Sequence, residues 1–292
     1  MELGLHQCSG SERERRVSIA RRQLLRSGPC TQAQLESDTF QDWAVRLGEK
    51  PTHMWRKIWE FCYVAQALAE RGMLRPGCRG LGFAVGQEPL PAMFASLGCE
   101  IVATDMPTEL DADRAWIDTG QHASSLEALN TRGICPPEVF RSNVSFCAVD
   151  MRQLPVDLGQ YDFVWSSCAA EHLGSIALGR AYLVNAVKYL KPGGVAVHTI
   201  EYNVSSRRHT IDNNSTILFR RRDIRAIGRE LRRSGYRVDL SFRGGHLPAD
   251  RYVDRPPYTM DVHLKLELAG RTLTSYGLII EKPAAAGGRT AE

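Results

Sequence analysis

Along the 292-residue chain the spacing of apolar positions changes twice. Between Asp38 and Arg71 the residues Phe40, Trp43, Leu47, Trp55, Ile58, Phe61, Cys62, Val64, Ala65 and Leu68 recur at three- and four-residue steps. That is the repeat of a helix with one buried face. Pro51 interrupts it, which predicts two helices, and Gly72 with Pro76-Gly77 closes the region. Short apolar runs then take over. They predict strands near 79–83, 100–104, 144–149, 163–166 and 195–200, with helices near 90–97, 126–130 and 176–190. Strands apolar enough to be buried on both faces, alternating with helices, indicate a parallel, doubly wound sheet. Beyond residue 220 the pattern changes again. It predicts a helix over 222–234, a strand over 236–242, and a hairpin of 262–268 with 272–280 across Ala269-Gly270. The expected fold is α/β, a doubly wound, seven-stranded, mostly parallel sheet (73–283). A helical extension precedes it (1–72, with a helix over about 12–26), and a disordered tail follows (284–292). The stretch 107–142 reads as a long loop, and long loops in such folds are often functional.

Composition narrows the classes. A hydrophobic share of 43% suffices for a full core, and a net charge of +4 excludes a polycation. The eight cysteines include no Cys-x-x-Cys pair and no Cys/His cluster at zinc spacing, so they read as reduced, buried residues and no metal site is expected. No apolar run approaches the roughly 20 residues that cross a bilayer. The N-terminus lacks the apolar segment of a signal peptide, so a cytoplasmic protein without membrane contact is expected. Arg220, Arg221, Arg222, Arg225, Arg229, Arg232 and Arg233 form either a solvated helix face or an anion-binding patch. No aromatic residues interleave them for base stacking, so nucleic acid is not the expected partner.

Candidate chemistry clusters at strand ends. The run Gly80-Leu81-Gly82-Phe83-Ala84-Val85-Gly86 reads as a strand entering a tight turn, where backbone amides can approach a ligand closely. Asp105 closes the next strand nineteen residues after Gly86, where a carboxylate can take the two hydroxyls of a ribose. Ser167-Cys168-Ala169-Ala170-Glu171-His172 follows the fourth strand, and Glu201-Tyr202-Asn203 follows the fifth. Ligands gather at the carboxyl ends of strands in this architecture. A histidine there can exchange a proton near neutral pH, although Glu171-His172 could equally serve only to start a helix.

From about Leu74 to Lys282 the order of these pieces resembles the class I S-adenosylmethionine-dependent methyltransferases. The resemblance rests on five stretches: the turn ending at Gly86, Asp105, Val149-Asp150-Met151 with Leu154-Pro155, the run from Tyr161 to Leu173, and Leu190-Lys191-Pro192-Gly193-Gly194. It implies S-adenosylmethionine as cofactor, with Gly82, Ala84 and Gly86 in the turn, Asp105 on the ribose, and Asp150 with the Met151 amide on the adenine. Met106 and Met151 would flank the ring or simply pack the core, and Ser167 would lie near the transferred methyl group. The implied catalytic candidates are His172 and Glu171. Glu201, Tyr202 and Asn203 are the acceptor contacts, with the acidic stretch 109–113 and Gly120-Gln121-His122 as lesser candidates. The N-terminal helices would form a lid. The chain departs from the family at Gly80, where an acid is usual, and at Ala84, where a glycine is usual; Glu88 or the helices near Trp55 would then meet the cofactor's ammonium group.

The implied function is methyl transfer to an oxygen or nitrogen of a polar small molecule: a sugar, an amino sugar or a glycosylated natural product. The alternatives are methylation of RNA or protein, a cofactor-binding subunit without catalysis, and carbon methylation or ring formation on an apolar acceptor.

Overall fold

The computed structural model describes residues 24–107, 123 and 125–285. The elements in chain order are β1 (Gly28–Pro29), α1 (Gln32–Leu35), α2 (Asp38–Arg46), β2 (Met54–Trp55), α3 (Arg56–Glu70), β3 (Arg79–Phe83), α4 (Leu90–Ser96), β4 (Glu100–Asp105), α5 (Pro137–Asn143), β5 (Val144–Ala148), β6 (Tyr161–Ser167), α6 (Ile176–Ala186), β7 (Leu190–Asn203), α7 (Arg221–Arg233), α8 (Pro248–Arg251), β8 (Val262–His263), β9 (Leu266–Leu268) and β10 (Arg271–Glu281).

The main sheet runs β5-β4-β3-β6-β7-β10-β1, with β9 also on β10. β3 to β7 are mutually parallel, and β10 enters antiparallel beside β7. The order reverses at β3, which lies between β4 and β6, so a crevice opens above its carboxyl end. This is the Rossmann-like methyltransferase fold expected from the sequence.

Strand alternation divides the interior into two cores. Phe163 and Trp165 of β6, Val195 and Val197 of β7 and Ile279 of β10 pack with α2, α3, α4 and α5. Val164, Ala196, Ile200 and Leu278 pack on the other face with α6 and α7. Helix α3 is therefore a layer of the sheet's own core. Its Tyr63 lies over Gly277, where an added Cβ would sit 2.1 Å from the ring. Ser37 caps α2 and Ser175 caps α6, each accepting from the amide three residues on.

Several expectations are corrected. The strand expected over 236–242 is reduced to two isolated bridges, Arg237 to Glu281 and Ser27 to Leu240. The N-terminal segment has taken the edge: Gly28 and Pro29 pair with Gly277 and Tyr276. The unpaired N–H and C=O groups of an open edge can pair with any segment laid along it, and here the Cys30 amide donates to the Ser275 carbonyl at 2.8 Å. Residues 24–26 are not helical, and the remainder of the helix expected over 12–26 lies outside the described residues. The helix expected over 176–190 ends at Ala186; a 3-10 turn, Val187–Tyr189, leads directly into β7. The strand expected over 262–268 is two pieces: β8 pairs in parallel with β2 in a separate two-stranded sheet, and β9 forms the hairpin with β10. Helix α5 was hidden in the long loop, though Pro136-Pro137 supplies its start. The candidates at 109–113 and 120–122, and most of the expected tail, lie outside the described residues.

Candidate functional site

The turn after β3 is held from β4. Ala84 and Gly86 have φ of 47° and 52°, the left-handed region. The Asp105 carboxylate, 1% exposed, accepts from the amides of Gly86 (3.1 Å), Met106 (2.8 Å) and Ala123 (3.0 Å). One acid thus fastens the glycine turn, its own strand end and the segment around Ala123. Gly80 and Gly82 have another origin. They pair with Phe163 and Trp165 in register, and a Cβ on either would fall 2.3–2.4 Å from those rings. The missing acid at 80 is thereby explained: the neighbouring strand's aromatic ring occupies its space.

Beside this turn a cleft of about 510 Å³ is lined by Ala84, Met106, Val149, Met151, Ala169 and Leu173, with Asp105, Asp150, Arg152 and His172 as its polar members. Six expected site residues, Ala84, Asp105, Met106, Asp150, Met151 and His172, meet here. A flat apolar slot with an acid at each of two strand ends fits an adenosine: faces against carbon and sulfur, hydroxyls and amino group toward carboxylates. Asp150 accepts from the amide (2.8 Å) and Nε (2.9 Å) of Arg152, which fixes the turn after β5. His172 sits at the rim, its Nδ1 3.1 Å from the Ser215 carbonyl. Desolvation lowers its pKa from the ordinary 6.5, which favours the neutral ring.

The other expected residues lie apart from that cleft, on both sides of β7. Val195, Val197, Thr199 and Glu201 alternate toward α3, while Tyr202 points to the opposite face, against Phe242 and Tyr276. Asn203 holds its own loop: its amide nitrogen donates to the His209 carbonyl and Thr210 Oγ1, and its oxygen accepts from Ser205 and Ser206. This accounts for Asn203 without an acceptor contact.

On the α3 side, a buried polar chamber forms where α3 begins over the ends of β6, β7 and β10. Arg56 bridges Glu201 (2.7 Å) and Glu60 (3.1 Å), and Lys57 pairs with Glu60 (3.0 Å). Ser275 donates to Glu60, and Cys168 Sγ lies 3.9 Å from Ser275 Oγ. Cys168, itself at φ 50°, is pinned by its amide to the Thr199 carbonyl and hydroxyl, each at 3.0 Å. Glu171 is wholly buried and neither carboxyl oxygen has a partner; Ser167 Oγ and Glu201 Oε2 are unpartnered too. Orphaned buried oxygens are costly and rare, and they mark a place where a ligand or proton completes the bonding.

Electrostatics set the charges of the chamber. Desolvation opposes ionisation of Glu60, but Lys57 and Arg56 prevail and hold it below the usual carboxylate range. Desolvation and then the nearby Glu201 push Glu171 well above that range. Desolvation also raises Glu201, against the pull of Arg56. Both acids are thus pushed toward the protonated form, Glu171 the further of the two because Arg56 pulls Glu201 back. Ligand atoms of Cys168, Glu171 and Glu201 lie within 4.8 Å of one another. A protonated thiol, a protonated carboxyl and a carboxylate already held by arginine make a poor cation site.

Sequence reasoning missed Arg56, Lys57 and Glu60. A signal existed: Arg56 and Glu60 stand at helical steps from Tyr63 and Ala67, on the stripe that faces the sheet. Glu88 is buried as well. It accepts from Trp165 Nε1 at 2.7 Å, and desolvation raises its pKa to about 8. Among the described residues no helix is long and apolar enough to cross a membrane.

Comparison with known proteins bears on this site. The family described as "Methyltransferase domain" matches residues 81–198, from β3 into β7. No curated relative matches the chain. Among solved structures, the 4+2 cyclase SpnF is 16% identical, with 89% of this chain and 100% of that one covered at a TM-score of 0.49. Magnesium protoporphyrin IX methyltransferase from Synechocystis PCC 6803, solved with bound S-adenosylhomocysteine, is 14% identical over 77% of this chain and 83% of its own, at 0.45. The glycopeptide N-methyltransferase MtfA is 16% identical over 75% and 94%, at 0.44. The sheet order, the cleft at its switch point and the domain match support a class I methyltransferase, with S-adenosylmethionine as the cofactor.

Proposed function

We propose that the protein transfers a methyl group to an oxygen or nitrogen of a polar small molecule, a sugar, an amino sugar or a glycosylated natural product. The observation that carries this reading is the adjacency of two unlike spaces on one strand-loop. Ala169 and His172 line the apolar cleft, while Glu171 between them turns its unpartnered carboxyl into the polar chamber. S-adenosylmethionine supplies a methyl group on a sulfonium, already activated for displacement. In this reading Ala84 and Gly86 form the turn that admits the cofactor, with Gly82 kept small by Trp165 rather than by the ligand. Asp105 receives the ribose, Asp150 and the Met151 amide the adenine edge, and Met106 and Met151 its faces. Ser167, at the end of β6, faces the reacting end.

The chain's own work is positioning, desolvation and proton management. Neutral His172 accepts the acceptor's proton at the rim, and the Glu171–Glu201 pair, sharing one proton, is a second station for it. Glu201 and Tyr202 are the remaining acceptor contacts at the end of β7, since the Asn203 side chain is committed to its loop. The test is incubation of the protein with small-molecule extracts and cofactor carrying a trideuterated methyl. A metabolite gaining three deuterons is expected. Label appearing only in RNA or protein would reject the small-molecule reading.

A further inference from the structure

A second cleft, of about 810 Å³, opens on the other side of β7, away from the adenosine slot. Its wall carries Tyr202, Arg207, Arg221, Phe242 and Lys265. Tyr202 follows Glu201 directly on β7, so this cleft and the buried acid pair flank the same strand end.

Three cations line this cleft, and among the described residues neither Arg207 nor Arg221 has a carboxylate within ion-pair distance. Arg221 lies over the Phe242 ring, 4.7 Å from its centroid, and its Nε is shielded from water without a partner. Arg225 covers the same ring at 5.5 Å. Burial raises the Tyr202 hydroxyl's pKa, and the positive charges of Arg221, Arg207 and Arg225 act on it in the opposite sense. Asp250 lies beside the cleft, under Gly245. Its two oxygens already accept the amides of Gln32 (2.8 Å) and Leu247 (3.0 Å), and Lys265 donates to its carbonyl. The neighbouring Arg220, by contrast, is neutralised by Asp223 at 2.7 Å. Rigid guanidinium forks held around a cavity with uncompensated charge match the oxygens of a phosphate.

We infer that this cleft holds the phosphate of the acceptor, which makes the substrate class a sugar phosphate or a nucleotide-linked sugar. The inference deepens the methyl-transfer reading and rests on it. Phosphate in the cleft would anchor the acceptor on one side of β7 while its hydroxyl or amine reaches the reacting end beside Glu201.

Titration calorimetry on the full chain tests it, with glucose 1-phosphate, UDP-glucose and glucose as probes and S-adenosylhomocysteine titrated separately. Both phosphates are expected to bind and glucose is not. Equal affinities would assign the whole of the binding to phosphate; UDP-glucose at least tenfold tighter would add the nucleotide. An Arg207→Ala/Arg221→Gln double variant is expected to lose at least tenfold in phosphate affinity and to keep the wild-type affinity for S-adenosylhomocysteine. Phosphate probes that fail while S-adenosylhomocysteine binds, or phosphate binding that survives the double variant, would overturn the inference. Displacement of glucose 1-phosphate by lower concentrations of a short single-stranded RNA would overturn it too. Absence of S-adenosylhomocysteine binding would instead strike the methyl-transfer reading beneath it.

Discussion

Glu88 shows how one buried side chain ties stability to pH. Its carboxyl sits between the turn after β3 and the Trp165 indole, 7% exposed, with a pKa raised by desolvation to about 8. In the unfolded chain the same group titrates near 4.5. Between those two values the unfolded chain has released the proton and the folded chain still holds it. The folded state therefore binds more protons, and stability falls as pH rises through that window, by at most about 1.4 kcal/mol per pH unit. Below pH 4.5 both states are protonated and the penalty vanishes. Glu88→Gln keeps an acceptor for the indole and removes the titration. The difference in unfolding free energy between Glu88→Gln and wild type should thus grow in the variant's favour from pH 4.5 to 8, by on the order of 2–4 kcal/mol. Denaturant titrations at a series of pH values measure it, and parallel curves would mean that the carboxyl is ionised throughout.

At the scale of elements, what the sequence revealed depended on whether a residue's partner was near in the pattern. The strand-helix alternation gave β3 to β7 and α4, α6 and α7 because each carries its own apolar run or stripe. The cleft was legible through Asp105, Asp150 and Met151, which stand at strand ends that the pattern marks. The edge was not: β1 exists because β10 offers donors to it, a long-range pairing with no local signature. The polar chamber was hidden for a similar reason, since Glu60 looks like a solvated helix residue until α3 is laid on the sheet. That docking rests on a close approach. Gly277 faces Tyr63, and its missing Cβ is the space the ring occupies. Gly277→Ala should cost about 1–3 kcal/mol as an overpacked contact. Gly28→Ala, on the paired strand, meets its nearest neighbours at 3.8 Å and should cost under about 0.5 kcal/mol. Combining Gly277→Ala with Tyr63→Ala should recover part of the loss, a coupling that a double-mutant cycle resolves. Additive costs would show that α3 is held elsewhere.

For the molecule as a whole, the cleft proposed for adenosine exists only when the ends of β3, β4, β5 and β6 stand side by side, because its walls come from the loops after each. No fragment of the chain presents it, so a ligand of the slot binds the folded state alone and must stabilise it by mass action. At a hundred times its dissociation constant, S-adenosylhomocysteine should add about 2.7 kcal/mol, a rise of roughly 4–8 °C in Tm for a chain of this size. Asp105 is the point where this coupling can be cut. Its carboxylate gathers amides from Gly86, Met106 and Ala123, and Asn would aim one NH2 group at donors that need an acceptor. Asp105→Asn should therefore lower the ligand-free Tm, by loosening three segments, and also move the rise of Tm to higher S-adenosylhomocysteine concentration, by losing the ribose contact proposed for it. The two effects separate by concentration: the first is present without ligand, and the second appears as a shift of the ligand concentration at which Tm begins to rise. A variant that starts lower yet climbs with the wild-type slope and midpoint would confine Asp105 to holding the turn, and would move the ribose to another partner.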